Sequence, residues 1–128
     1  MQENDRGGAE FQYHNALREG RFVIQHCDGC GLHVFFPRVV CPHCAGTSLR
    51  WVEPSGTGVV YSTTTVRQRA EKGGDYDVSL IDLDEGVRMM SRVEGLPPGE
   101  VRIGMRVRAR IIEEEGTALV VFVAEEQQ

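Results

Sequence analysis

Long apolar runs are missing from this 128-residue chain: no stretch approaches the ~20 residues that a bilayer-spanning helix needs. Missing as well is the basic start and apolar stretch of a secretory leader, because Met1 to Glu10 is polar and glycine-containing, so a cytoplasmic location is expected. Positive charge is scarce. The formal net charge is -5, which argues against a chain whose main task is to grip a phosphate backbone. The segment Pro54 to Gln128 holds nine lysines and arginines against thirteen acids, and its aromatics are Tyr61, Tyr76 and Phe122. A single-strand nucleic-acid binder needs both a cationic groove and stacking platforms, and this stretch is short of each.

What is present is ordinary for a globular protein, with 41% hydrophobic and 26% charged residues in a length that suits one compact domain or two small modules. Phe11 to Glu19 predicts a short helix with Tyr13, Ala16 and Leu17 on one face and Gly20 as its stop. Arg21 to His26, Leu32 to Phe36 and Leu49 to Val52 have strand character, and Pro54, Ser55 and Gly56 mark a junction. Beyond it, five strands are expected over Gly58–Val66, Val78–Leu83, Val87–Val93, Val101–Ile112 and Ala118–Val123. Asp84-Glu85-Gly86 and Glu113 to Gly116 supply hairpin turns. In the fourth strand Val101, Ile103, Met105, Val107, Ala109 and Ile111 alternate with Arg102, Gly104, Arg106, Arg108 and Arg110, which predicts a core face and a basic face. Five short antiparallel strands suggest a small closed barrel of the OB-fold kind. The fold class is therefore mainly β, divided as 1–20 tail and short helix, 21–53 ribbon and 54–128 barrel.

Four cysteines occur as two C-x-x-C hooks, Cys27/Cys30 and Cys41/Cys44, separated by ten residues. Each hook offers two sulfurs on a tight turn, eased by Gly29 and Gly31 in the first and by Pro42 and Gly46 in the second. The set fits tetrahedral four-thiolate coordination of a structural Zn2+ that leaves no position open for an activated water. A thioredoxin-like motif needs one hook in a βαβ pattern, which is absent, and an iron rubredoxin has hooks farther apart. His26 and His43 flank the hooks and read as surface or supporting groups rather than ligands, and His14 and His33 have no partner in the sequence.

No nucleophile with an evident base stands out. The thiols belong to the metal motif, Ser62, Ser79 and Ser91 lie in strand patterns without a nucleophile elbow, and Asp82 and Asp84 read as a solvated hairpin, so the chain is expected not to be an enzyme.

Several motifs in order carry a resemblance that runs from about Phe11 to Val123. Glu19-Gly20-Arg21 leads to the first hook, Phe36-Pro37-Arg38 to Cys41-Pro42-His43-Cys44, and Trp51 follows. Then come Gly56-x-Gly58-Val59-Val60-Tyr61-Ser62, Leu83-Asp84-Glu85-Gly86-Val87-Arg88 and Ile103-Gly104-Met105-Arg106-Val107. In this the chain resembles the DUF35 family, which joins a rubredoxin-like zinc ribbon to an OB-fold and is acyl-CoA-associated. Phe36 departs from the pattern, standing where many members have a second proline.

The resemblance implies Cys27, Cys30, Cys41 and Cys44 as zinc ligands, no catalytic residue, and a role as accessory subunit of a thiolase-fold or related acyl-CoA enzyme. It implies that such a subunit helps form or bridge the partner's acyl-CoA site. Tyr13, Leu17, Phe35 and Phe36 are candidate partner contacts, and Arg38, Arg106 and Arg108 candidate contacts to a partner or to the phosphates of CoA. A nucleic-acid-binding ribbon and OB-fold module is the alternative.

Overall fold

The computed structural model describes residues 3–125. Helix α1 (Glu3–Arg18) is longer than its expected nine residues, and it is interrupted at Gly8, whose φ of 72° and ψ of -166° are not helical. It ends where the sequence places a stop. The Gly20 amide donates to the Leu17 carbonyl at 2.9 Å, and the Arg21 amide donates to the Ala16 carbonyl at 2.9 Å. That pair of bonds needs a left-handed residue between helix and strand, and Gly20 supplies it at φ 84°.

A three-stranded antiparallel sheet follows, in the order β2-β1-β3, from β1 (Ile24–Cys27), β2 (His33–Val34) and β3 (Leu49–Val52). The remaining strands are β4 (Thr57–Val66), β5 (Tyr76–Leu83), β6 (Arg88–Ser91), β7 (Val93–Glu94), β8 (Arg106–Glu114) and β9 (Thr117–Ala124). They form one six-stranded sheet in the order β6-β5-β4-β8-β9-β7. By its internal packing the chain divides into two units. One runs up to Ser55 and takes in 85–87 and 111–119; the other holds 56–84, 88–110 and the chain from Val120 on.

In the first unit Tyr13, Ala16 and Leu17 of α1 are buried, as are Val23, Ile24 and Val34, so the apolar face of the helix is satisfied inside the unit. The Trp51 indole donates to Gln12 Oε1 at 2.7 Å, which ties β3 to the helix. In the second unit Val60, Ile81, Leu83, Met89, Val107, Val121 and Phe122 form the core. On β5 the inward residues Asp77, Ser79, Ile81 and Leu83 alternate with more exposed neighbours, the period of two that a half-buried strand requires.

Two expectations need correction. The third barrel strand, expected unbroken over Val87–Val93, is interrupted at Arg92: β6 pairs antiparallel with β5, whereas β7 pairs parallel with β9. The buried Asp77 carboxylate accounts for the diversion, since both its oxygens accept from the Val93 amide, at 3.3 and 3.0 Å, while Ser79 Oγ donates to it at 2.6 Å. There are thus six strands in this sheet rather than five. The fourth expected strand begins at Arg106, not Val101. Gly104 adopts φ 91° and the Met105 amide turns back on the Arg102 carbonyl at 3.2 Å, so the alternation breaks and Ile103 faces out instead of in. No helix among the described residues is long and apolar enough to cross a membrane.

Candidate metal centre

Each cysteine hook is built by the same local hydrogen bonds. In the first, the Gly31 amide donates to the Cys27 carbonyl at 2.8 Å and the Cys27 amide to the Leu32 carbonyl at 2.9 Å. In the second, Ala45 donates to Cys41 at 2.8 Å and Cys41 to Gly46 at 2.8 Å. The residue four places after the leading cysteine is left-handed in both, Gly31 at φ 82° and Ala45 at φ 65°. The hooks are thus two copies of one turn, and each aims a pair of sulfurs at a common point.

The four Sγ atoms lie within 4.8 Å of one another. Cys27 and Cys44 are 3.6 Å apart and Cys30 and Cys41 3.8 Å, too far for a disulfide. A tetrahedron with Zn–S bonds of about 2.3 Å has S···S edges of about 3.8 Å, so these two pairs already stand near the separation the ion requires. The leading cysteines, Cys27 and Cys41, are buried, whereas Cys30 and Cys44 are exposed. Amides add to the fit. His43 N–H points at Cys41 Sγ at 3.4 Å, and the Cys30 amide leads the interactions that pull the Cys27 thiol down to about 7. The Leu32 amide favours the Cys30 thiolate, but burial and the crowded thiols of Cys27, Cys41 and Cys44 push it up to about 11. Four groups that resist ionising together become four anions only around a cation. The donor set therefore fits a structural zinc, which would tie the two hooks together and leave no coordination position for a substrate.

Around this centre lies a charged row that the sequence reading did not assemble. His26 Nδ1 is 3.0 Å from Asp28 Oδ1, and Arg50 Nε donates to the same oxygen at 2.8 Å. The hydrogen bond and charge of Arg50 hold the Asp28 carboxyl below the usual carboxylate range. Only strand pairing brings His26, His33 and Arg50 side by side, and nothing in their sequence spacing signals it.

The other candidate residues fall into two groups. Tyr13 is 5% and Leu17 2% exposed, so they are core of the first unit rather than contact surface, and burial pushes the Tyr13 phenol up to about 12. Phe35 is partly buried, its ring edge-on to Tyr13 at 5.4 Å. Phe36 is exposed, together with Leu32, Val39 and Val40 from the same stretch, three residues that sequence reasoning passed over. The signal for Val39 and Val40 was apolar character outside a strand, whereas Leu32 was expected to open one and lies just before β2. Arg38 is held by its backbone, which exchanges two 2.7 Å hydrogen bonds with the Gln25 amide side chain. Arg106 grips Asp84 through two hydrogen bonds of 3.1 and 3.2 Å and lies 3.6 Å from Glu125. Arg108 is exposed opposite Thr57 and makes no ion pair among the described residues.

Comparison with known proteins agrees with this architecture. Residues 14–50 match the model of the ChsH2 rubredoxin-like zinc ribbon domain, and residues 51–111 that of the ChsH2 C-terminal OB-fold domain. A DUF35 domain-containing scaffold protein of Methanocaldococcus jannaschii is 35% identical over 96 residues, 70% of this chain and 68% of that protein. A probable enoyl-CoA hydratase alpha subunit of Thermomonospora curvata is 35% identical over 94 residues, 72% of this chain but 30% of that longer protein. Among solved structures, a chain of one described as an Ltp2-ChsH2(DUF35) aldolase superposes with a TM-score of 0.80 at 31% identity, covering 91% of this chain and 94% of that one. A DUF35 protein of unknown function from Sulfolobus solfataricus shares the fold at 20% identity and a TM-score of 0.65, covering 89% of this chain and 83% of that one. The shared domains and the hook geometry lead to one assignment: this chain belongs to the DUF35 family and carries that family's zinc ribbon and OB-fold.

Proposed function

We propose that the chain is a non-catalytic partner subunit of an acyl-CoA-processing enzyme, that the partner has the thiolase fold, and that the ribbon docks on it. The observation that carries the reading is the exposed apolar group on the ribbon: Leu32 is 49%, Phe36 46%, Val39 71% and Val40 47% exposed. An ion with four thiolates and no open position gives the ribbon stiffness rather than chemistry, and a stiff apolar surface suits docking. The names of the relatives, hydratase alpha subunit, scaffold protein and aldolase, are consistent with a role beside acyl-CoA enzymes. The thiolase fold of the partner rests on the family resemblance.

Direct contact with CoA is part of the proposal at Arg108 and Arg38, whose guanidinium groups suit phosphate. Arg106 is a weaker candidate, because a phosphate there must displace Asp84. The test is co-purification with the acyl-CoA enzyme encoded nearest to this protein. Phe36→Asp should weaken the complex by at least about 30-fold, the loss of a buried anchor, while zinc content and melting stay near normal. Equal binding by the variant would remove Phe36 from the interface. Failure to capture any thiolase-fold enzyme would overturn the partner assignment.

A further inference from the structure

Beside the four-thiolate centre, His26 and His33 stand directly opposite each other on β1 and β2. The hydrogen bond from the Cys27 amide to the Leu32 carbonyl occupies the neighbouring position of this antiparallel ladder, so the histidine pair falls at the position without backbone bonds, where side chains come closest. Their ring centroids are 4.9 Å apart with the planes at 70°. Two imidazoles that share one ion through M–N bonds of about 2.0 Å have centroids about 5 Å apart when the angle at the metal is near 100°. The observed spacing is compatible with a shared ion, as it is with an edge-to-face contact between the two rings.

The orientation of His26 also suits a ligand. Asp28 Oδ1 accepts from the Arg50 guanidinium, so it is a carboxylate, and its short approach to His26 Nδ1 requires the imidazole to donate there. Nδ1 is thus turned to the carboxylate, and Nε2, on the far side of the ring, is the atom left to bind an ion. A carboxylate behind a histidine is the arrangement by which metal-ligating imidazoles are oriented and made more basic. The surroundings favour a cation too. Zinc with four thiolates carries a formal charge of -2, Cys27 is the next residue to His26, and the charges of Asp28 and Arg50 cancel.

We infer that His26 and His33 form a second metal site, separate from the four cysteines, that takes one divalent ion of the imidazole-preferring class, Zn2+ or Ni2+, with water completing its shell. Asp28 is a positioning residue in it. The four cysteines are the one group of three or more His, Cys, Asp or Glu ligand atoms that converge among the described residues, so this second site has two protein ligands and positions open to solvent.

The experiment starts from full-length protein whose tightly held zinc has been counted after gel filtration. Titration with Zn2+, and separately with Ni2+, should reveal one further ion per chain. His33→Gln should abolish that second event, Asp28→Ala should weaken it by about tenfold or more, and His43→Gln should leave it intact, with retained zinc at one per chain throughout. No second ion, or a second ion indifferent to His33→Gln, would overturn the site. Should a variant misfold, Ni2+ added to the unaltered protein should broaden the imidazole resonances of His26 and His33 first; broadening led by His14 and His43 would count equally against it.

Discussion

Gly58 sits so close to Asp82 across the β4–β5 ladder that a Cβ added to it would stand 2.5 Å from the Asp82 carbonyl oxygen. Real side chains do not approach backbone that closely, and Gly58 is flanked on both sides, by Leu83 on β5 and Val107 on β8. Gly58→Ala should therefore destabilise the protein by about 3 kcal/mol, the upper part of the range for forcing an extra methyl into packed structure. Urea unfolding measures it. A midpoint equal to that of the parent protein would mean that the strands separate easily here.

The thiolate centre makes its own prediction. Elemental analysis should find about one zinc per chain, and Cys41→Ser should lose the ion and unfold the ribbon, because the site's binding energy is folding energy. A fully occupied iron site, or an ion-free protein that melts normally after chelation, would contradict it.

The two hooks differ at one informative place. Ala45 adopts the same left-handed backbone that Gly31 provides in the first hook, at a steric cost of about 1 kcal/mol for a residue with a Cβ. Ala45→Gly should return most of that strain and raise stability, less the extra freedom glycine gains in the unfolded chain. Gly31→Ala should lower stability by about 1 kcal/mol through backbone conformation alone, since an added Cβ there meets nothing within 4 Å. Thermal melts of the zinc-loaded variants give both signs, and shifts in the opposite directions would refute the pairing of the hooks.

Acid should find Asp84. The Arg106 guanidinium, followed by the Thr57 hydroxyl at 2.5 Å, holds this carboxyl below its usual range. Its folded value is thus lower than its unfolded one, so its contribution is full at neutral pH and is lost as pH falls through and below the ordinary carboxylate range. Asp84→Asn should lower stability at neutral and alkaline pH and flatten the acid limb, so that the curves of variant and parent converge at low pH. A variant with the parent's acid limb would assign the loss to other carboxylates.

Much of this was legible in the residues, and the exceptions have physical causes. The metal motif could be read because hook geometry is local: five residues fix each turn, and spacing alone says that two turns meet. The helix stop at Gly20 was legible for the same reason. The break of the third barrel strand at Arg92 was not, because its cause is the Asp77 carboxylate, sixteen residues away and drawn to the Val93 amide only once β5 has folded. Alternation misled at Ile103. A period of two looks the same through a turn as along a strand, and only the φ of Gly104 tells them apart. Tyr13 and Leu17 were expected as contact surface, but the apolar face of the short helix is consumed by its own unit, and the exposed apolar group lies instead in the loop between the hooks.

The matched hooks with their preset amide bonds also bear on supply and demand in the cell. A ribbon whose four sulfurs already converge spends little on rearrangement, so its occupancy follows the free ion around it. While the site is near saturation, each tenfold fall in available zinc removes about 1.4 kcal/mol from the folded ribbon. The apolar surface at Phe36 and Val39 is held by that same ribbon. The abundance of a competent docking subunit, and with it the assembly proposed for it, would then follow the zinc buffer as well as the rate of its synthesis.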